Sequence, residues 1–419
     1  ATAQWATVGT TGLSGGVANY TFMAVDNTNT PYIAYKDNAN SDKLSVRKWS
    51  GSSWTVVGTA ISGGSVDYVS MAIDQWTNDV YIAYKDGNAS NKLTVKMYDG
   101  STWSTLGSSG FTSGTVDFVS VAVHGGIPLV AYKDNSLSGK LTVKYYYSGA
   151  WYTLGTAGFT SGSVSYVNAV VSADGYGFIA YRDHNNKPAA YEWQNNGWVS
   201  LGTASSNNCS DVAITIDVDG NPYVAFIDNG NSNKLTVRKY TTSWATVGTA
   251  GFTPGGTGTP DIAIDQNNNT PYVLYRDDNS SQKASVMKYN GTSWVNLGTA
   301  GFSANTVDYT SLIIDDNGIL YAGYKDNSVS QKASVMKYNT ASGSTADLEW
   351  IGVTSSNWSD ISNWNPNIIP TTTNDVTIKS GTSNNPGVTT AITVYAKDLT
   401  IDNGATLTIN HSTAKLRLT

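Results

Sequence analysis

Short runs in which apolar and polar residues alternate recur along almost the whole chain, parted by Gly, Asn, Ser and Asp. One stretch reads "YVSMAID" from Tyr68, "VYIAYKD" from Val80, "KLTVKMY" from Lys92 and "WSTLG" from Trp103. Alternation turns successive side chains to opposite faces, so each run predicts a strand and each polar break a turn. The set of four then returns. A tryptophan marks each repeat at Trp5, Trp54, Trp103, Trp151, Trp198, Trp244 and Trp294, and an aspartate follows each central run at Asp37, Asp86, Asp134, Asp183, Asp228, Asp277 and Asp326. Successive aspartates lie 49, 48, 49, 45, 49 and 49 residues apart, a spacing that signals a repeat architecture.

Four antiparallel strands, seven times over, describe an all-β, seven-bladed β-propeller. The phase of the repeat predicts how the ring closes. The chain enters on "WATVG" (Trp5 to Gly9), a fourth strand without its first three, and the last unit supplies three strands up to Tyr338 without a fourth. The N-terminal strand is therefore expected to complete the seventh blade, removing two free sheet edges.

Composition narrows the function classes. There are only two glutamates, Glu192 and Glu349, while the residues of strands and turns abound. With 25 basic and 31 acidic residues, net charge -6 and pI near 5.0, nothing gathers phosphate backbones, so nucleic acid is not an expected partner. No apolar run approaches the roughly 20 residues of a membrane-spanning helix, and membrane insertion is not expected. Cys209 is the single cysteine; with no basic neighbour it is expected to be a buried, inert thiol. His124, His184 and His411 are far apart in sequence, and no metal or cofactor is expected.

The repeat, as written in "VDYTSLIIDDNGILYAGYKDNSVSQKASVMKYN" and "GTSWVNLGTAGF", resembles propeller repeats of exported bacterial surface proteins over about residues 1 to 340. That resemblance implies fold and export and leaves activity open, because such propellers host many functions. After Tyr338, "NTASGSTAD" reads as a linker, giving a propeller over 1–339, a linker over 340–348 and a second β-rich domain over 349–419. In that domain Trp350, Trp358 and Trp364 precede "DVTIKSG", "AKDLTIDNGATLTIN" and "KLRLT", which predict the first coils of a parallel β-helix or a small β-sandwich with the tryptophans in its core rather than as a sugar platform. The W-I-G-x5-W-x5-W opening and "GATLTI" are similar to segments of surface proteins exported by the type IX route, which implies contact with secretion machinery. The "ATAQW" opening fits a mature end left by signal-peptide removal, and the chain's end inside a strand reads as a fragment of something longer. An extracellular or cell-surface location is the expectation.

Loops joining second to third strands share a face of a propeller with loops leading from blade to blade. The first kind displays the seven aspartates as a ring, with Lys43, Lys92, Lys140, Lys187, Lys234, Lys283 and Lys332 opposite them. A feature present in every blade is expected to build the blade. The aspartate should start the turn and the lysine pair with it across the hairpin, for a few tenths to about 1 kcal/mol. Loops of the second kind, such as "GFTSGTVDF" (Gly110 to Phe118), place Asp67, Asp117 and Asp308 beside Tyr68, Phe118 and Tyr309. Aromatic planes next to acids suit a sugar. Phe111, Phe159, Phe252 and Phe302 are expected to plug the gaps between blades.

The units depart from their own pattern between the fourth and the sixth. "YRDHNNKPAAYEW" introduces Arg182, His184 and Glu192, the fifth unit has "GTASSNNCSDVA", and the sixth inserts Pro254 and Pro260. This altered rim reads either as a ligand notch or as drift. "DVDGNP" (Asp217 to Pro222) and "DDNGIL" (Asp315 to Leu320) hint at calcium but lack the bidentate acid that ends a calcium loop, so turns are expected there. There is no nucleophile elbow and no S-x-D-x-G-x-T-W motif of sialidase-like propellers. The expected function is a non-catalytic surface binding or adhesion module for a glycan or a protein partner. A polysaccharide hydrolase or lyase at the rim near Arg182, His184 and Glu192 is the alternative of another class, and a spacer or type IX cargo domain is the third.

Overall fold

In blade 2 the strands Val66–Ile73, Val80–Asp86, Lys92–Tyr98 and Trp103–Thr105 pair antiparallel in that order. Six further four-stranded sheets of the same build complete a seven-bladed propeller in the computed structural model. It describes residues 4–338, and 348–418 apart from 366–368, 371–373, 389–392, 397 and 411–414. Residues 340–347 of the expected linker, and His411, lie outside them. First strands of neighbouring blades touch all the way round, so they line the axis. In the seventh blade Trp5–Thr7 lies beside Lys332–Tyr338, with Trp5 opposite Tyr338, so the N-terminal strand closes the ring.

The core lies between the blades. Seven clusters of buried side chains each bridge two adjacent blades, and the one that joins the seventh to the first packs Val8, Leu13, Met23, Ile33 and Trp54 against Tyr321, Ala333 and Val335. Central strands such as Val80–Asp86 and Pro222–Asp228 are buried almost throughout. Each repeat tryptophan adds a directional tie, its indole Nε1 donating to a carbonyl on the preceding blade. These bonds run Trp54 to Val8, Trp103 to Val57, Trp151 to Leu106, Trp198 to Leu154, Trp244 to Leu201, Trp294 to Val247 and Trp5 to Leu297, at 2.8 to 3.1 Å. The loop phenylalanines stack on the same indoles, Phe111 on Trp151 at 4.3 Å and Phe302 on Trp5 at 4.2 Å, filling the gaps as expected.

The hairpin aspartates correct one expectation. Asp86 and Lys92 are opposite in register, yet the carboxylate is buried and bonded elsewhere. It caps a short 3-10 turn through Asn88 N–H (2.9 Å) and accepts from the Thr94 hydroxyl (2.8 Å), which in turn accepts from Gly110 N–H of the next loop (2.9 Å). Asp37, Asp134, Asp228 and Asp277 bond Ser45, Thr142, Thr236 and Ser285 in the same way. Among the described residues no ion pair joins these aspartates to the lysines across the hairpin. A buried carboxylate gains more from fixed donors than from an ammonium that prefers water. In blade 4 the hydroxyl position is Ala189, and Asp183 instead closes a tighter turn onto Asn185 and Lys187 N–H.

The C-terminal region is mixed: Leu348–Trp350 pairs antiparallel with Trp364–Asn365 and parallel with Asp375–Ile378, and the remaining pairs are parallel. Asp375–Ile378 lies beside Asp398–Ile401, Gly387–Val388 beside Thr408–Ile409, and Thr393–Ala396 beside Lys415–Leu418. In these three pairs each strand meets its counterpart one coil later, a pairing like that of successive β-helix coils. Trp350, Trp358 and Trp364 are fully buried in its core, so they form no sugar platform.

Candidate functional site

Every first strand breaks its register near its start, between Asn19 and Phe22, Asp67 and Ser70, Asp117 and Ser120, Ser165 and Asn168, Cys209 and Val212, Gly258 and Asp261, and Asp308 and Ser311. A bulge of this kind re-aims a side chain. Here it turns one residue per blade toward the axis. Tyr20, Tyr68, Phe118, Tyr166 and Tyr309 occupy the position with φ between +47° and +52°, as does Thr259 at +44°. Bulky residues seldom take this left-handed backbone. Five do so here in register.

The five rings form an arc over blades 7, 1, 2, 3 and 4. Tyr309 meets Tyr20 at 5.0 Å, Tyr20 meets Tyr68 at 5.6 Å, Tyr68 meets Phe118 at 5.0 Å and Phe118 meets Tyr166 at 5.2 Å, all tilted. The arc is open at blades 5 and 6, where Asp211 and Thr259 stand instead. Hydroxyls brace the bulges from blade to blade, Thr21 donating to the Tyr309 carbonyl and Thr310 to that of Thr259. Arc and gap enclose a mouth of about 210 Å³, continuous through Phe22, Asn168, Asp211 and Pro260 with a deeper cavity of about 190 Å³.

Cations and acids form an outer ring. Lys36 pairs with Asp67 (2.8 Å), Lys85 with Asp117 (2.7 Å) and Arg276 with Asp308 (2.9 Å), each tying one blade to the next. Lys85 and the cations at the same repeat position in three other blades cover ring faces, Lys85 over Tyr68, Lys133 over Phe118, Arg182 over Tyr166 and Lys325 over Tyr309, at 5.1 to 5.9 Å. Where blades 2, 3 and 7 carry the acid, blades 4 and 5 carry Ser165 and Ser210; Arg182 Nε donates to the Ser165 hydroxyl (3.0 Å), and among the described residues neither Lys133 nor Arg182 forms an ion pair.

Two carboxyls close the gap. Asp211 accepts from Val212 N–H (2.9 Å) and Asp261 from Leu312 (2.7 Å) and Ile262 N–H (2.9 Å). Burial raises Asp211 to about 7, with the Asp261 charge adding to the effect, and burial raises Asp261 to about 6 against the bonds it accepts. Near neutral pH the pocket therefore holds groups poised between donor and acceptor. Burial also raises the hydroxyls of Tyr68, Tyr166 and Tyr309, with nearby carboxylates contributing, which keeps them neutral donors.

The structure thus gathers Tyr68, Phe118, Tyr309 and Arg182 at one mouth and places Asp67, Asp117 and Asp308 just outside it, engaged with cations. Arg182 ends the second strand of blade 4; the others sit on starts of first strands rather than in the loops that precede them. His184 is not among the lining residues: it is exposed and packs on Gly162, where a Cβ would come within 2.6 Å of its ring. Glu192 lies on the third strand of blade 4, raised by burial, away from the axis. Cys209 is buried, its thiol pushed up to about 12 by desolvation. Asp217 and Asp315 spend their oxygens on turn amides, Asp217 also pairing with Lys239 at 2.8 Å. Tyr20, Tyr166, Asp211, Thr259 and Asp261 were not foreseen. Reading down the single repeat column Tyr20, Tyr68, Phe118, Tyr166, Asp211, Thr259, Tyr309 finds four of the five.

No curated protein matches this chain. A family model described as a domain of unknown function (DUF8693) matches residues 349–419. Among solved structures the chain is similar to the extracellular domain of a hybrid two component system from B. thetaiotaomicron, with 13% identity, TM-score 0.53, and 81% of this chain against 40% of that one; this chain thus spans well under half of that protein. It is similar too to a chain of the mitotic checkpoint complex, with 13% identity, TM-score 0.54, and 80% and 93% covered. A looser likeness, TM-score 0.45 at 16% identity over 71% and 98%, is to the Aleuria aurantia lectin. The first two show a shared fold.

Proposed function

We propose that this chain is a non-catalytic glycan-binding module of an exported cell-surface protein, with the aromatic mouth of the propeller as its site. The observation that carries this is the arc of five rings held in left-handed backbone around one pocket. Strained residues persist where the surroundings hold them in place, and they cluster at ligand sites. Sugar C–H faces stack on such rings while hydroxyls reach Tyr hydroxyls and the Asp211 and Asp261 carboxyls. Lys133 and Arg182 add a positive edge that fits an acidic sugar. A protein partner presenting a glycan would meet the same face.

A glycan array probed with the intact chain tests this. Binding to at least one glycan class is expected, with a loss of about tenfold or more in a Tyr68→Ala/Tyr309→Ala variant that keeps its melting temperature within a few degrees. An array silent for the wild-type chain would sink it. The two titrating carboxyls favour one rival reading, a polysaccharide hydrolase or lyase. Release of products that stops in Asp211→Asn would replace the binding reading with that one. Export, and any contact with secretion machinery, rest on the resemblance of the repeats and of the C-terminal segment; fractionation and protease shaving of the producing cell would test them.

A further inference from the structure

The opposite end of the axis carries a larger cavity, about 390 Å³, built by the turns that join first to second strands in blades 2 to 6. Trp76 stands at its edge. It is 71% exposed, whereas the other twelve tryptophans are buried or half-buried, most of them in the ties between blades. Nor is its segment loose. Trp76 N–H donates to Asp74 Oδ1 (2.8 Å), Asp74 Oδ2 accepts from Gly126 N–H of blade 3 (2.7 Å), and Gln75 Nε2 donates to the Val25 carbonyl of blade 1 (2.9 Å). The indole lies over Gly125, whose φ is +58° and where a Cβ would approach it to 3.2 Å, and it meets the His124 ring edge-on at 4.9 Å. A flat apolar surface is thus held firmly in position and left facing water.

The groups around it are polar and partly free. Asp74 and Asp217 are consumed by turn amides and by Lys239. Asp174 is exposed, and among the described residues neither its carboxylate nor the His124 nitrogens have a hydrogen-bond partner. One aromatic platform, one free carboxylate and one imidazole around a small open cavity match a pyranose, which offers a C–H face and hydroxyls. The site lacks the several aromatic walls that cage a quaternary ammonium.

We propose that this end of the propeller is a second, separate saccharide site, with Trp76 as stacking platform and Asp174 and His124 as hydrogen-bonding groups. It shares no residue with the aromatic mouth and stands whether or not that mouth binds sugar. Two sites at opposite ends of one axis would let the chain bridge glycan strands.

Calorimetric titration of the intact chain with cellohexaose, xylohexaose, laminarihexaose and mannohexaose tests it. At least one is expected to bind the wild-type chain, with affinity falling about tenfold in Trp76→Ala, less in Trp76→Phe, and several-fold in Asp174→Asn. Because Trp76 is exposed, all three variants should melt with the wild type. The Tyr68→Ala/Tyr309→Ala variant should retain this binding, which separates the two ends. No binding by the wild-type chain, or binding that survives Trp76→Ala and Asp174→Asn unchanged, would overturn the proposal.

Discussion

Asp86 and its counterparts show how one residue can be right in position and wrong in partner. Seven-fold recurrence marks them as builders of the blade, and the register sets a lysine opposite each. The carboxylate nonetheless turns inward, to a turn amide and to the hydroxyl two residues beyond the lysine, and that hydroxyl holds the incoming loop. Asp86→Ala removes a cap and leaves the buried Thr94 hydroxyl short of a partner, so urea unfolding should show a loss of about 2 kcal/mol or more. Lys92→Ala should stay within about 0.5 kcal/mol. Equal losses in the two variants would restore the cross-hairpin ion pair. Asp211 makes a separate prediction. Unfolded, it gives up its proton near the ordinary carboxylate value of 3.8; folded, near about 7. The folded state holds the extra proton between, so the stability from this group is complete below about pH 4 and is lost as pH rises through 7. Asp261 and Asp315, each raised to about 6, act in the same direction. Thermal melts of Asp211→Asn should therefore decline less between pH 4 and 7 than those of the wild type, and lie higher at pH 8. Parallel curves would show that the site is wet enough to leave the carboxyl unshifted.

At the scale of the element, the bulged first strand is the device that makes a pocket out of a structural repeat. Alternation and spacing announced four strands per unit, but a bulge adds one residue to one strand and leaves no mark in composition. Tyr68, Phe118 and Tyr309 were legible because an aspartate precedes each. Tyr20 and Tyr166 follow Asn19 and Ser165, and escaped. Asp211 and Thr259 escaped because they break the aromatic column, and their effect appears only when the ring brings blades 5 and 6 against the arc. His184 misled because its unit is irregular; the irregularity serves a tighter turn onto Lys187 N–H, and the ring rests on Gly162. The parallel pairing in the C-terminal region was half-legible, since partners there lie a whole coil apart. Strain in the bulge can be measured directly. In an ordinary strand Gly is less stable than Ala by roughly 0.5–1 kcal/mol. At residue 68, with φ +51°, the order should invert, Tyr68→Gly unfolding at higher urea than Tyr68→Ala by about 1 kcal/mol. The usual order would mean that the left-handed backbone costs nothing there.

For the whole molecule, the ring is closed by very little chain. Three residues, Trp5 to Thr7, pair with the outer edge of blade 7, yet four kinds of contact meet in them and the segment just after. Trp5 is buried, stacks on Phe302, and donates its indole N–H to Leu297, while Val8 and Leu13 enter the core between blades 7 and 1. Gly12 N–H adds a bond to the Ser334 hydroxyl (3.0 Å). Cutting residues 1–10 opens the edge of Lys332–Tyr338 and empties a tryptophan-sized site, where a large-to-small change alone costs about 3–5 kcal/mol. At roughly 1.4 °C per kcal/mol for a domain of this size, the melting temperature should fall by about 5 °C or more. The bare edge should also raise concentration-dependent association, visible by light scattering. Trp5→Phe keeps the ring stack and loses the bond to Leu297, so it should fall between the deletion and the wild type. If the truncated chain melts with the intact one and associates no more than it does, closure rests on the packing of blades 7 and 1 alone, and the N-terminal strand is dispensable to the ring that holds both ends of the axis in place.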